Sequence, residues 1–376
     1  MPIHRGTCRS GQAPPAELLC SIAPPDVLAR VAERGSPEER EAAIRTLVES
    51  VALRARRNAV SSLMRDLNAD LADFSFMSGT PAVAAGKRRT VYDAKHGGHL
   101  DLPGRRERGE GDPPAADPAV NEAYEGSGAT YDFYLDVFKR NSIDGEGLEL
   151  VSSVHYLTDY DNAGWNGVQM VYGDGSGLLF AKGAFTKAID VIGHELTHGV
   201  TQYTAGLVYH KQPGALNESM SDVFGSLVKQ HGRGQTTDQA DWLIGEGILG
   251  SALHGQALRS MKAPGTAFDL DRQPAHMDNY QDLPDDDDPR NDHGGVHINS
   301  GIANHAFFLA ATAMGGYAWE KAGRIWYVTL TERLKPFSEF LDAAEATVTV
   351  AGELFGDGSQ EQEHVRDAWR QVGVLA

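Results

Sequence analysis

Residues 190–200 read DVIGHELTHGV. Two histidines, His194 and His198, stand four apart, and Glu195 follows the first directly. An α-helix turns about 100° per residue, so side chains four apart share a face. Written as a helix over residues 188–203, the stretch sets both imidazoles side by side, able to share one tetrahedral ion. Glu195 then lies one step around, close to that ion but not on it. A catalytic zinc takes nitrogen, sulfur or carboxylate ligands and keeps one position for water. Glu195 is placed to take the proton of that water.

The next helical pattern supplies a third ligand. In GALNESMSDVFGSLV, residues 214–228, Glu218 and Asp222 also lie four apart on one face. Glu218 completes a His–His–Glu set. Asp222 is placed to accept the free N–H of a ligand histidine and so fix its tautomer and orientation. Met220, Val223, Phe224 and Leu227 make this helix a largely buried one, where an unpaired acid is expensive.

The chain of 376 residues is long enough for two or three domains and a large core. Its 41% hydrophobic and 23% charged residues are those of a folded protein. No apolar run reaches membrane-spanning length, and the first twenty residues lack the apolar segment of a secretory signal peptide. The net charge of −18 argues against nucleic acid and anionic membranes as partners. Residues 1–65 carry +3, from ten Arg against seven acids, which leaves −21 for the remainder; a basic leader is thus expected to be drawn to an acidic body. The only cysteines, Cys8 and Cys20, lie in that leader, so no disulfide staples the body.

In the leader, one helix is expected after Pro24 and Pro25, ending near Gly35. A second is expected from SPEER, with Ser36 as N-cap and Pro37 at its first position. Its apolar face is read as Ala43, Leu47, Val51 and Ala55. Residues 74–118, rich in Gly, Pro and Arg, read as loop, above all GRRERGEGDPPAADP. YDFYLDVF begins a helix with Tyr131, Leu135 and Phe138 on one face. LVSSVHYL and VQMVYG are strands, and DYDNAGWNG between them carries turn residues. Helices dominate from about residue 186.

Together these motifs resemble the thermolysin family of zinc endopeptidases. HELTH, nineteen intervening residues to Glu218, and NESMSD form that family's ligand pattern. The likeness continues through YDNAGWNGVQMVYGDG, YTAGLVYHKQPGALNE, GEGILGSALHGQALRSM and DHGGVHINSGIANHAF, from about residue 89 to 376. It implies an α+β fold, with a β-rich N-terminal domain, an α-helical C-terminal domain, and the cleft and zinc helix between them. The corresponding division is a propeptide-like leader over 1–70, then 71–205 and 206–376. One catalytic Zn²⁺ on His194, His198 and Glu218 is implied, with Glu195 as general base and then proton donor to the leaving amine. Tyr209 and His297 would donate to the tetrahedral oxyanion, with Asp292 orienting His297 and Asp222 orienting His194. Arg259 would hold a substrate carbonyl, and Asn162 and Ala163 would pair with substrate backbone as with an added strand. Val191, Ile244, Ile248 and Leu258 are the matching walls of an apolar pocket, which implies cleavage before large hydrophobic residues.

The departures carry expectations too. Gly164 stands where the family has a bulky aromatic, and His293 replaces an asparagine beside the site. Asp190, Asp241 and Glu246 match the family's double calcium site, but Lys229 stands where an acid belongs and Leu243 replaces another. The double site is therefore expected to be lost, the Lys229 ammonium standing in for a cation; retention of one weak calcium is the alternative. Gln256 likewise replaces the aspartate of a second calcium loop. The leader resembles the short propeptides of the protealysin-like branch through its Pro-Pro motif. It implies an inhibitory propeptide acting in cis and removed by self-cleavage between residues 55 and 90. Cys20 or Cys8 is a candidate zinc latch. The expected partners are protein and peptide substrates, met by a monomeric enzyme acting outside the cell; retention in the cytoplasm, a catalytically dead binding module and an exopeptidase are the alternatives.

Overall fold

The computed structural model describes residues 20–53 and 86–376 and, of Cys20, only the backbone. A mixed six-stranded sheet has the order β1-β5-β6-β4-β2-β3. Its strands are β1 (Cys20–Ser21), β2 (Arg89–Asp93), β3 (Arg105–Gly109), β4 (Leu150–Val154), β5 (Ala163–Trp165) and β6 (Met170–Tyr172). Strand β4 runs parallel to β2 and β6, while β3, β5 and β1 pair antiparallel with their neighbours. The leader thus contributes the strand beyond β5.

Two expectations fail here. GRRERGEGDPPAADP is not all loop, because Arg105–Gly109 is β3. This sheet edge is charged, its arginines bonded to Glu107 and Asp112, which is how a strand can look like a loop in sequence. Nor is DYDNAGWNG only turn, since its centre is β5.

The leader folds into α1 (Pro25–Arg34) and α2, helical over residues 37–53. Ser36 Oγ accepts from Glu39 N at 3.3 Å and Glu39 Oε2 accepts from Ser36 N at 2.8 Å, a reciprocal cap. The expected buried face of α2 is wrong in part. Val51 is exposed, as are Ile44 and Val48, whereas Ala42, Ala43, Thr46, Ser50 and Leu53 are buried; Ala55 lies outside the described residues. The docked face carries hydroxyls because it meets exposed main chain and polar side chains. Thr46 Oγ1 accepts from Asp161 N, and Ser50 Oγ bonds Tyr160 OH at 2.8 Å.

Helix α3 (Pro118–Phe138) starts thirteen residues before YDFYLDVF, capped by Asp117, whose Oδ1 accepts from Ala119 N at 2.9 Å. Gly126 and Gly128 hide its first half from a periodicity reading. At Gly126 a Cβ would lie 2.3 Å from Ile192 Cδ1. After α4 (Ala184–Lys187) come the two central helices, α5 (Ile189–Gln202) and α6 (Lys211–Arg233). A ribbon of β7 (Leu243–Ile244) and β8 (Arg259–Ser260) follows. The chain then enters α7 (Asp292–Met314), whose residues 293–295 all have positive φ, so its regular part begins at Val296. Helices α8 (Ala322–Val328), α9 (Phe340–Phe355) and α10 (Gln360–Gln371) complete the fold. One apolar core runs through both halves and takes in the leader residues Ile22, Val27, Leu28 and Val31.

Helices α5 and α6 cross where both carry glycine. A Cβ on Gly225 would lie 2.4 Å from Asp190 O and 3.0 Å from His194 N. That close approach sets the two ligand-bearing helices at their separation. Gly225→Ala is expected to cost about 1–3 kcal/mol in denaturant unfolding and to weaken zinc binding in a chelator competition. Unchanged values in both would show that the crossing tolerates a methyl group.

At the end of β4, His155 bonds Asp174 Oδ1 through Nδ1 and Asp117 Oδ2 through Nε2, each at 2.7 Å. The Asp174 bond, with Asp117 adding to it, raises its pKa to about 9 against the burial that would lower it. A raised imidazole stabilises the fold below its unfolded pKa of about 6.5, and the contribution is lost as pH rises through about 9. His155→Gln is therefore expected to cost about 2 kcal/mol near neutral pH. The gap from wild type should close in melts above about pH 9.

Candidate metal centre and cleft

His194, His198 and Glu218 meet in the buried core of the α5–α6 crossing, with one ligand atom from each within 4.8 Å of the others. His194 Nδ1 donates to Asp222 Oδ1 at 2.8 Å. His198 Nδ1 donates to Asn217 Oδ1 at 2.9 Å, since the Asn217 amide nitrogen is spent on Leu207 O. Both Nε2 atoms are therefore bare, and they face each other at 3.0 Å. Glu218 Oε2 is buried, has no hydrogen-bond partner among the described residues, and lies 3.5 Å from His194 Nε2. Two lone pairs and an unsatisfied carboxylate oxygen converging on one point repel unless a cation lies between them. This donor set fits zinc. Burial pushes the His198 pKa down to about 3, which keeps it neutral. Against burial, the His297 imidazolium holds Glu218 below the usual carboxylate range.

Asp222 ties the surroundings together. Besides His194, its two oxygens accept from Arg259 Nη2 and Nε, both at 2.8 Å, and from Asn304 Nδ2 at 2.8 Å. Burial raises its pKa, but the Arg259 guanidinium and His194 more than reverse that and keep it ionised. Glu195 Oε2 accepts from Trp165 N at 3.0 Å, while Oε1 is buried and unpartnered among the described residues. Burial, and next the Glu218 charge, push its pKa well above the usual carboxylate value.

The groups expected at the oxyanion converge as well. Tyr209 donates its hydroxyl to Glu218 Oε1 and lies 3.1 Å from His297 Nε2. Asp292 Oδ1 accepts from His297 Nδ1 at 2.6 Å, and its Oδ2 accepts from the backbone of His297 and Ile298. His293 is half-buried, its ring 6.2 Å from that of Tyr209. Val191, Ile244, Ile248 and Leu258 are all buried in the core cluster.

The leader crosses this cleft. Ser21 pairs with Gly164, and Cys20 with Trp165. Ser21 O accepts from His297 Nε2 at 3.1 Å, and Ile22 N donates to Ala163 O at 3.1 Å. Ile22 O accepts from Arg259 Nη1 at 3.3 Å, and Ala23 N donates to Asn162 Oδ1 at 3.0 Å. Asn162, Ala163, Arg259 and His297 thus all meet one extended segment. The Cys20 side chain and Cys8 lie outside the described residues. Six of the ten leader arginines, at 5, 9, 54, 56, 57 and 65, lie outside the described residues, and that part of the charge expectation lies outside them too. Among the described residues, both ion pairs from leader to body join a leader acid to a body arginine, Asp26 to Arg272 and Glu33 to Arg290.

Lys229 Nζ is buried, 2.9 Å from Asp190 Oδ2 and from Asp241 Oδ1, and donates to Leu243 O at 2.6 Å. Glu246 is exposed and takes no part in this cluster. In PDDDDP, Asp288 is bound to Arg290 and Asp286 accepts from Asn291. Gln256 joins its loop by main chain, accepting from Gly247 N and donating to Ala267 O.

Sequence reasoning did not assign Asn217, Asn304 or Trp165 N to the site. Asn217 adjoins Glu218 within NESMSD, and Asn304 lies seven residues after His297 on one helix face, so both were within reach of helical phase. Trp165 contributes a backbone N–H, which no residue type announces.

Residues 88–202 match the family model described as thermolysin metallopeptidase, catalytic domain, and residues 205–374 the one described as its alpha-helical domain. An extracellular metalloprotease of Pectobacterium carotovorum subsp. carotovorum is 46% identical over 362 residues, 95% of this chain and 96% of that protein. Protease PrtS of Photorhabdus sp. (strain Az29) is 44% identical over 94% of this chain and 91% of its own length. The precursor of protealysin, a metalloproteinase from Serratia proteamaculans, superposes with a TM-score of 0.78 at 46% identity, covering 95% of this chain and all of that one. With its mixed sheet, helical C-terminal half and buried His–His–Glu centre, the chain belongs to the thermolysin family of zinc metalloendopeptidases.

Proposed function

We propose that the chain is the latent precursor of a neutral endopeptidase that cuts before large hydrophobic residues, acts outside the cell and removes its own leader. The observation that carries this reading is the leader segment along β5, hydrogen-bonded by the groups expected to hold a substrate. The segment continues on both sides of His297, as an endopeptidase substrate does. The naming of a relative as extracellular supports the location.

Zinc on His194, His198 and Glu218 would supply Lewis-acid polarisation and a water of near-neutral acidity. Glu195 Oε1, unpartnered and raised in pKa, takes the proton of the attacking water and passes it to the departing amine. Tyr209 and His297 donate to the oxygen on which negative charge develops, so they act mainly on the transition state. Asp292 holds His297 by Nδ1, and Asp222 does the same for His194. Asn162, Ala163 and Arg259 fix the substrate backbone. Val191, Ile244, Ile248 and Leu258 receive the side chain after the scissile bond. The leader inhibits in cis by filling this path, and the chain works as a monomer.

Glu195→Gln keeps the shape of the site and removes the base. Turnover of casein or a quenched peptide is expected to fall about a thousandfold with zinc content unchanged; full activity in this variant would refute the assignment. Lys229 in turn replaces the family's calcium pair. Calcium is expected to leave the wild-type Tm unchanged, and Lys229→Ala to cost about 3–5 kcal/mol by stranding Asp190. A calcium-dependent rise in wild-type Tm would count against the replacement.

A further inference from the structure

The leader is held in one register, and that register singles out one bond. We infer that the Ser21–Ile22 peptide bond is itself a cleavage site of this enzyme, cut in cis while residues 22–53 stay docked. This rests on the endopeptidase reading above.

Ser21 carries the carbonyl that receives His297 Nε2, the donor assigned to the scissile oxygen. The next N–H, of Ile22, is fixed by Ala163 O, and the next carbonyl, of Ile22, by Arg259. Ile22 is fully buried in the cluster that holds Val191, Ile244, Ile248 and Leu258. An aliphatic residue thus follows the polarised carbonyl, as the proposed preference requires. Trp165, which pairs with Cys20, holds Glu195 Oε2 through its own N–H, and Oε1 has no partner among the described residues. The base is therefore anchored to the strand that carries the leader.

In one direction the register is blocked from sliding. Moving the chain by two residues would put Pro24 where Ile22 donates to Ala163 O, and proline has no N–H. Hydrolysis adds the water's oxygen to the Ser21 carbonyl carbon and both its protons to the Ile22 nitrogen. The C–N bond breaks, leaving a Ser21 carboxylate and an Ile22 ammonium. The products have unequal holds on the body. Among the described residues, the N-terminal piece keeps only Cys20 and Ser21 on β5 and the bond to His297. The C-terminal piece keeps Ile22, Ala23, the Arg30 bond to Leu270 O, and the α2 bonds to Tyr160 and Asp161. Cleavage here therefore nicks the leader without emptying the cleft.

The test is intact-mass and N-terminal analysis of the full chain over time, zinc-loaded and chelated, beside Glu195→Gln. Peptide 16–28 is also given to the processed enzyme. A species beginning at Ile22 is expected in the zinc-loaded wild type only, and a Ser–Ile cut in the peptide. Casein hydrolysis without an Ile22 terminus, or a peptide left whole at Ser–Ile, overturns this inference and leaves the endopeptidase reading standing. A processed enzyme that hydrolyses neither casein nor peptide overturns both.

Discussion

The Asp222 carboxylate is the constraint on which the rest of the centre depends. It is fully buried, and a buried charge is tolerated only when nearly every lone pair is used. It sits on α6, and its partners come from three other elements: His194 on α5, Arg259 on β8 and Asn304 on α7. The orientation of His194, the position of Arg259 and the placement of the helix bearing His297 are thereby fixed through one side chain. Loss of any partner would leave charge stranded in the core, so the arrangement holds as a unit.

The same economy extends to the leader. Its extended segment adds a strand to a sheet edge that would otherwise offer unpaired backbone groups at the cleft. Arg259 serves both sides of this junction, bidentate on Asp222 and single on Ile22 O. Leader docking and metal-site geometry therefore share a residue. The helices behind the strand contribute hydroxyls and apolar contacts more than charge. Among the described residues, the cross-interface ion pairs run from leader acids to body arginines.

Much of the centre was legible because it rests on helical phase. His194, His198, Glu218 and Asp222 were readable from spacing, and the family resemblance added Tyr209, Asp292, His297 and Arg259. The glycine-bearing half of α3 and the arginine-rich β3 were not. Gly126 answers a neighbouring helix and β3 is a solvated edge, so neither has the periodicity of a half-buried element. The buried face of α2 was misread for a related reason. Thr46 and Ser50 face inward because Asp161 N and Tyr160 OH are there to meet them.

By itself, the sequence determined the ligand chemistry and the helices that carry it. These are matters of residue type and of spacing within one element. Only the tertiary structure decided that Ser21–Ile22 lies under His297, that Trp165 N holds Glu195, and that Asn217 and Asn304 complete the hydrogen bonding. Such contacts join positions far apart in the chain, many through backbone atoms that every residue shares, and their register is set by packing.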